Sequence, residues 1–190
     1  MSRSYVRVIL QKLEFYGILK TLPQSETVAT RAVIIDLEGS ISGILKIENN
    51  DFASLVETRV VLETEAAKLA ALRRTSKDIV AIQKALKAYE ISVKKGLPAV
   101  EQDLMFHLKI AEASKNSVLK SLMLIITPNI IKSFNEYEIC KNGRSYTSLQ
   151  EHKIIVQHII NQDVEEAVLS MNGHLQEVLQ YSYDLKKLNQ

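Results

Sequence analysis

The stretch Asp103-Leu104-Met105-Phe106-His107 holds two chemically active side chains within an apolar run. Asp103 and His107 are four positions apart, so an α-helix places both on one face, one turn apart. The apolar neighbours predict a buried helix, and an unpaired buried charge is costly. The stretch therefore indicates either a hydrogen-bonded Asp–His pair or a metal ion with further nitrogen ligands. Three more histidines lie downstream, in segments with helical patterns: His152, His158 and His174.

The composition favours a helical protein. The 190 residues suffice for one medium domain with a small attachment, and 46% of them are hydrophobic. Glycine (6) and proline (3) are scarce. A single cysteine, Cys140, excludes an intrachain disulfide and fits a reducing cytoplasm. The first residues show no apolar signal segment, and the most apolar run, 118–131, is short for a bilayer span. We therefore expect a cytoplasmic protein without a membrane segment.

The N-terminal end has a pattern of its own. Residues 1–31 hold five basic and two acidic residues, or +3, whereas the whole chain has a net charge of +2. A basic surplus suits a DNA contact, although a solvated helix face gives the same pattern. Apolar residues at helical spacing up to Leu13, a stop at Gly17 and strand-like runs around the turn 23–26 predict a helix followed by a β-hairpin.

Residues 2–19, SRSYVRVILQKLEFYGIL, resemble the recognition helix and first wing strand of GntR-family transcription regulators. The resemblance implies that hydroxyl and guanidinium groups at the start of this helix contact operator DNA. These residues are Ser2, Arg3, Ser4 and Arg7. The family has two helices before this one, and the wing tip 23–26 lacks glycine here. We therefore expect the winged helix-turn-helix of this chain, as given, to be truncated and to bind DNA weakly.

From residue 51 onward the pattern predicts about six amphipathic helices with short connections, which favours an all-α antiparallel bundle. Cap and turn residues separate the helices at 75–78, 96–98, 116, 141–144 and 163. The expected organisation is a partial winged helix-turn-helix at 1–31, a linker at 32–50 and a helical effector-binding and dimerisation domain at 51–190.

This helical part resembles the FCD effector-binding domain of the FadR subfamily of GntR regulators. The resemblance rests on short motifs in the family's order: Glu57-Thr58-Arg59, Asp103-x-x-Phe106-His107, Ala113-Ser114-x-Asn116, Glu151-His152 and Gly173-His174-Leu175. It implies that one aspartate and three histidines from separate helices hold a divalent metal: Asp103, His107, His152 and His174. Such a donor set suits Zn, Ni, Mn or Fe. His158 lies six residues after His152 and is interpreted as a surface or structural residue.

The resemblance also implies a small organic acid as effector. Arg59 is the expected clamp for its carboxylate, because a guanidinium binds carboxylates in a bidentate manner. An intrahelical pair between Arg59 and Glu63 is an equally good interpretation. Arg144 and Ser114 are further candidates for effector binding, although Arg144 also fits a plain loop residue. A capping role together with Asn116 explains Ser114 as well.

These observations predict a ligand-responsive transcription regulator rather than an enzyme. Effector binding would change the placement of two DNA-binding heads in a homodimer by a population shift. One alternative is an effector-binding and dimerisation module that has lost DNA binding. Another is a helical metalloenzyme, which would require a positioned acid or base beyond the ligands. Apart from those ligands, the sequence offers no clear acid or base for this site.

Overall fold

The computed structural model describes residues 19–21, 27–29, 52–139 and 143–188. The chain divides into two compact units, Met1–Asn49 and Asn50–Gln190. In the smaller unit, strands β1 (Leu19–Thr21) and β2 (Thr27–Ala29) pair antiparallel, with Leu19 opposite Ala29. A hairpin was expected at this place. The predicted DNA-contacting residues, the turn 23–26 and the linker lie outside the described residues.

The described residues of the larger unit form six helices, and the predicted all-α bundle is confirmed. Their bounds are α1 (Phe52–Arg73), α2 (Ser76–Lys94), α3 (Val100–Ala113), α4 (Ser117–Glu136), α5 (Arg144–Asn161) and α6 (Val164–Leu188). Helix α1 packs against α3, α4, α5 and α6. Its buried face therefore meets all three helices that carry the candidate metal ligands.

Helix boundaries follow the capping residues that the sequence predicts. Thr75 and Asp78 form a reciprocal capping box at the start of α2. The Asn116 side chain accepts a hydrogen bond from the Leu119 amide at the start of α4. Helix α6 begins directly after Asp163. The side chains of Thr75, Asp78 and Asn116 satisfy amides that have no partner within their own helix.

Two arginines at the end of α1 bind the ends of two other helices. Arg73 donates to the Ser114 carbonyl (3.2 Å) after α3. Arg74 donates to the carbonyls of Ile159 (3.3 Å) and Ile160 (2.5 Å) at the end of α5. A cation at a helix C-terminus satisfies unpaired carbonyls and complements the helix dipole. The end of α1 thus holds both α3 and α5, which supply three of the four candidate ligands.

Helix α4 is longer than its apolar sequence run indicates. It continues for eight residues beyond Pro128, which therefore does not end it. The preceding Thr127 hydroxyl donates to the Met123 carbonyl (2.6 Å). With 20 residues, α4 is the one helix in the described part that is long and apolar enough to cross a membrane by length and composition. Such a helix is also what the core of a helical bundle requires.

Candidate metal centre

The structure brings together the four side chains that the FCD resemblance singles out. Asp103 and His107 come from α3, His152 from α5 and His174 from α6. Each of the four is at most 5% exposed. One donor atom from each lies within 4.8 Å of the donor atoms of the other three. Residues separated by up to 71 positions in sequence thus form one buried polar cluster.

The three imidazoles meet through their Nε2 atoms. The Nε2 of His174 lies 3.2 Å from that of His152 and 3.3 Å from that of His107. Asp103 completes the cluster: its Oδ1 lies 3.4 Å from His152 Nε2, and its Oδ2 lies 3.9 Å from His107 Nε2. Nitrogens that share a metal at the usual bond length of about 2.1 Å are roughly 3.0–3.4 Å apart. The observed spacing fits a single divalent ion.

Carboxylates on the far side of two rings orient those rings. His107 Nδ1 contacts Glu63 Oε2. His174 Nδ1 lies 2.6 Å from Glu151 Oε2. A carboxylate at Nδ1 keeps the proton there, so the Nε2 lone pair faces the cluster, as in carboxylate–histidine–metal sites. Two such lone pairs 3.3 Å apart repel each other unless a proton or a cation lies between them.

Burial favours the neutral form of two imidazoles, His152 and His174. It lowers the pKa of His152 well below its usual value, and the charges of His174, His107, Arg59 and Arg144 lower it further. Burial also lowers the pKa of His174, although its hydrogen bond to Glu151 acts in the opposite direction. A neutral imidazole is the form that binds a metal, so no proton has to leave these rings first.

Aromatic rings enclose one side of the cluster. The Phe106 ring lies 4.2 Å from the His152 ring, centroid to centroid, and the Tyr89 ring lies 4.9 Å from it. The Tyr89 hydroxyl donates to the Ser145 carbonyl (3.1 Å), so this ring is held from both ends. The His152 Nδ1 is buried and has no hydrogen-bond partner among the described residues. Packing therefore orients His152, whereas carboxylates orient the other two histidines.

Comparison with known proteins shows the family to which this chain belongs. The family model described as the FCD domain matches residues 54–177, the part of the chain that supplies all four cluster residues. The chain belongs to the FCD-domain branch of the GntR-family transcription regulators. It is 30% identical over 182 residues to the HTH-type transcriptional regulator LutR of Bacillus subtilis. These aligned residues cover 94% of this chain and 83% of LutR.

Other proteins are similar to this chain in sequence or in fold. The Uxu operon transcriptional regulator of Escherichia coli is 32% identical over 134 residues, which cover 66% of this chain and only 51% of that regulator. The solved structure of Streptococcus agalactiae GntR matches with a TM-score of 0.66 at 24% identity. The match covers 95% of this chain and 82% of the GntR chain. The E. coli McbR/YncC structure has a TM-score of 0.63 at 15% identity and covers 97% and 87%. The relatives are regulators, so the expectation of a non-enzyme is confirmed.

In this FCD domain, Arg59 and Glu63 form a buried pair on α1. Arg59 Nε lies 2.5 Å from Glu63 Oε1, and Arg59 Nη2 lies 3.6 Å from Asp103 Oδ2. The guanidinium also lies over the Phe134 ring at 5.3 Å. Burial alone raises the pKa of Glu63, but the charges of Arg59 and His107 and their hydrogen bonds outweigh it and hold that pKa at about 2. The intrahelical pair expected as one alternative is therefore present, and it reaches the cluster through both of its members.

Arg144 forms the corresponding group on the other side of the FCD cluster. It is the first residue of α5, rather than the last residue of a loop. Its guanidinium donates to Glu151 (2.9 Å) and to the His174 carbonyl (2.8 Å), and it forms an ion pair with Glu177 (3.2 Å). Burial raises the pKa of Glu151, but hydrogen bonds and charges of His174 and Arg144 outweigh it and lower that pKa. The same Glu151 oxygen accepts from both Arg144 and His174.

Two candidate residues lie away from the cluster contacts. The buried Ser114 hydroxyl donates to the Ala111 carbonyl (2.6 Å) and accepts from the Asn116 amide (3.1 Å). This is the capping alternative for Ser114. His158 is partly exposed, and its Nδ1 lies 3.6 Å from Asp163 Oδ2. His158 thus occupies the surface position expected for it.

The sequence pattern does not identify the carboxylates that orient the imidazoles. It indicates Glu63 only as a partner for Arg59, and Glu151 only as part of a motif. Each had a signal: Glu63 is four residues from Arg59 on a buried helix, and Glu151 directly precedes His152. Neither signal shows which ring the carboxylate reaches, because His107 and His174 belong to other helices.

Proposed function

We propose that this FCD domain binds one divalent metal through Asp103, His107, His152 and His174. The observation that carries the proposal is a buried cluster in which His174 Nε2 lies 3.2 Å from His152 Nε2 and 3.3 Å from His107 Nε2, beside the Asp103 carboxylate. Zn, Ni, Mn and Fe all suit three nitrogens and one carboxylate. A bound metal would supply a positive centre to which a carboxylate oxygen can coordinate.

We further propose that the effector is a small carboxylate held beside that metal. Arg59 carries a positive charge 3.6 Å from Asp103, so an incoming carboxylate would meet a guanidinium as well as the metal. A galactonate operon transcriptional repressor of Escherichia coli is 28% identical over 63% of this chain, and galactonate is a hydroxycarboxylate. This likeness supports the chemical class of the effector.

The proposed output is control of operator binding in a homodimer. Helix α1 is the first described helix after the unit Met1–Asn49, and it carries Arg59 and Glu63. An effector that changes the contacts of this pair would shift α1 between two positions and so alter the DNA-binding unit by population shift. Contacts of Ser2, Arg3, Ser4 and Arg7 with the operator form part of this proposal.

Metal analysis of the purified full chain tests the first step. The variants are His152→Ala, which removes a cluster ligand, and His158→Ala, which removes a histidine outside the cluster. We expect about one equivalent of divalent metal in wild type and in His158→Ala, and a large loss in His152→Ala. Equal metal contents in the two variants, or none in wild type after metal is added back, would refute the four-ligand site.

Effector binding tests the second step. Titration of galactonate into metal-loaded protein and into chelator-treated protein, followed by calorimetry, measures whether binding depends on the metal. We expect binding only with the metal present. Binding that is equal with and without metal would contradict coordination of the carboxylate by the metal.

A further inference from the structure

We propose that a surface cavity beside Arg144 binds an amino-acid-like zwitterion with an aromatic side chain, and that its occupancy is coupled to the metal cluster. The cavity has a volume of about 570 Å³, within the range of small-molecule sites. Residues of α5 and α6 and those after α4 line it: Tyr137, Arg144, Thr147, Glu177, Val178 and Tyr181. Only the coupling rests on the proposed function, because ligand binding in this cavity requires no metal.

The lining charges favour a ligand with both signs of charge. Arg144 contributes the guanidinium, and Glu177 and Glu138 contribute carboxylates. Arg144 already binds two carboxylates, Glu151 and Glu177. A simple organic anion would add another negative charge here. A zwitterion instead places its carboxylate on Arg144 and its ammonium on Glu177, so the net charge of the site is unchanged.

The Arg144–Glu177 pair is the replaceable one. Its Nε–Oε2 distance is 3.2 Å, and the Glu177 side chain is 66% exposed, so this pair is weak. Arg144 is only 12% exposed and is held by Glu151 and by the His174 carbonyl. The guanidinium therefore stays in place while Glu177 moves to the ammonium group.

Two tyrosines supply a surface for an aromatic side chain. The Tyr137 ring packs on Phe52 with centroids 5.1 Å apart, and Phe52 contacts Phe134 edge to face at 6.2 Å. The Tyr181 hydroxyl donates to the Tyr137 carbonyl (3.5 Å) and so joins α6 to the end of α4. Core packing thus holds one ring in advance, which lowers the entropy lost on binding.

A direct chain of hydrogen bonds connects the cavity with the cluster. Glu151 Oε2 accepts from Arg144 Nη1 (2.9 Å) and lies 2.6 Å from His174 Nδ1. A ligand carboxylate that shares the guanidinium weakens the Arg144–Glu151 bond and leaves more of the Glu151 charge for His174. Such outer carboxylates adjust the basicity of a ligating imidazole. Ligand and metal therefore change each other's affinity by the same factor.

Three probes with the same ring test the cavity on the full chain: L-phenylalanine, 3-phenylpropanoate without the ammonium group, and phenethylamine without the carboxylate. Calorimetry or ligand-observed NMR gives their affinities. We expect L-phenylalanine to bind about tenfold or more tightly than the other two, since each of these lacks one ion pair. Equal binding of 3-phenylpropanoate, or no binding of L-phenylalanine at millimolar concentration, overturns the proposal.

Variants locate the binding. Thr147→Trp fills the cavity from an exposed position on α5, whereas Gln150→Trp adds the same ring to the same helix outside the lining. Binding of L-phenylalanine should be lost in the first variant and kept in the second. Glu177→Gln should weaken L-phenylalanine without weakening 3-phenylpropanoate. Unchanged binding of L-phenylalanine in Thr147→Trp would place it elsewhere and overturn the site.

The experiments distinguish a failure of the metal-site proposal from a failure of the cavity proposal. His152→Ala removes a metal ligand but no lining residue, so L-phenylalanine should still bind to it, and binding there supports the cavity even if the metal site is refuted. In wild type, L-phenylalanine should change the metal dissociation constant severalfold, and metal should change the affinity for L-phenylalanine equally. Binding of both without mutual effect would overturn the coupling.

Discussion

Two arginine–carboxylate pairs hold the cluster from opposite sides, and they differ in exposure. The inner pair, Arg59–Glu63, has side chains that are 2% and 1% exposed and orients His107. The outer pair, Arg144–Glu151, is 12% and 29% exposed and orients His174. Both use the same chemistry. The inner pair lies where water cannot replace a lost partner, whereas the outer pair can exchange partners with solvent or a ligand.

The same arginine–carboxylate motif therefore has two roles. The inner pair stabilises the fold, whereas the outer pair adjusts the orientation of His174. Breaking the inner pair removes a close opposite charge from a group that water cannot reach, so its main cost is to folding. Breaking the outer pair leaves groups that water can reach, so its main cost is to the orientation of His174. Four measurements test this division, in order of decreasing expected effect.

Glu63→Ala should have the largest effect. It removes the carboxylate that lies 2.5 Å from the buried Arg59 guanidinium, and we expect a loss of about 3–5 kcal/mol in the free energy of unfolding. Urea unfolding measures the loss. The control is Glu65→Ala, an exposed acid two residues away that pairs with Lys68, for which we expect less than about 0.5 kcal/mol. A loss below about 1 kcal/mol for Glu63→Ala would contradict a stabilising inner pair.

Glu151→Gln should chiefly affect metal binding. The amide no longer fixes the proton of His174 as a carboxylate does, so metal affinity should fall by about 10–100-fold. Competition with a metal indicator measures the change, with Glu166→Gln as an exposed control on α6. If metal affinity stays unchanged while stability falls by several kcal/mol, the two pairs have the same role and the comparison fails.

Arg74→Gln tests whether the helices, rather than the pairs alone, set the spacing of the cluster. The variant loses the hydrogen bonds to the Ile159 and Ile160 carbonyls at the end of α5, the helix that carries His152. We expect a loss of about 1–2 kcal/mol in stability and a smaller fall in metal affinity than for Glu151→Gln. If metal affinity falls more in Arg74→Gln than in Glu151→Gln, the cluster ligands are positioned mainly by the contacts of α1 with the other helices.

Asp78 serves as a carboxylate outside both pairs and should have the smallest effect. Burial raises its pKa, but hydrogen bonds from Lys115 and Thr75 outweigh that and lower it. The ionised Asp78 carboxylate therefore contributes fully to the free energy of unfolding above the ordinary carboxyl pKa of about 4. This contribution is lost as the pH falls through the lower folded-state pKa. Asp78→Asn should cost about 1 kcal/mol near pH 7 and progressively less in acid. A penalty that grows on acidification would contradict the assigned sign.

Local patterns determine much of the larger unit. The capping box at Thr75 and the cap at Asn116 are read from adjacent residues, because they depend on contacts within one helical turn. At Pro128, local sequence patterns are not sufficient to predict the helix. The proline removes one amide donor, but tertiary packing of α4 retains the helix beyond it, which no local pattern records.

The sequence by itself determined the helical class, the family and the four cluster residues, since residue type, periodicity and short motifs carry that information along the chain. Only the tertiary structure decided how these residues meet. The pairing of Glu63 with His107 and of Glu151 with His174, the binding of α3 and α5 by Arg73 and Arg74, and the cavity beside Arg144 all join residues from different helices. Such contacts depend on the rotation and axial offset of packed helices. Ridge-into-groove packing of the whole bundle sets both, and no single segment does.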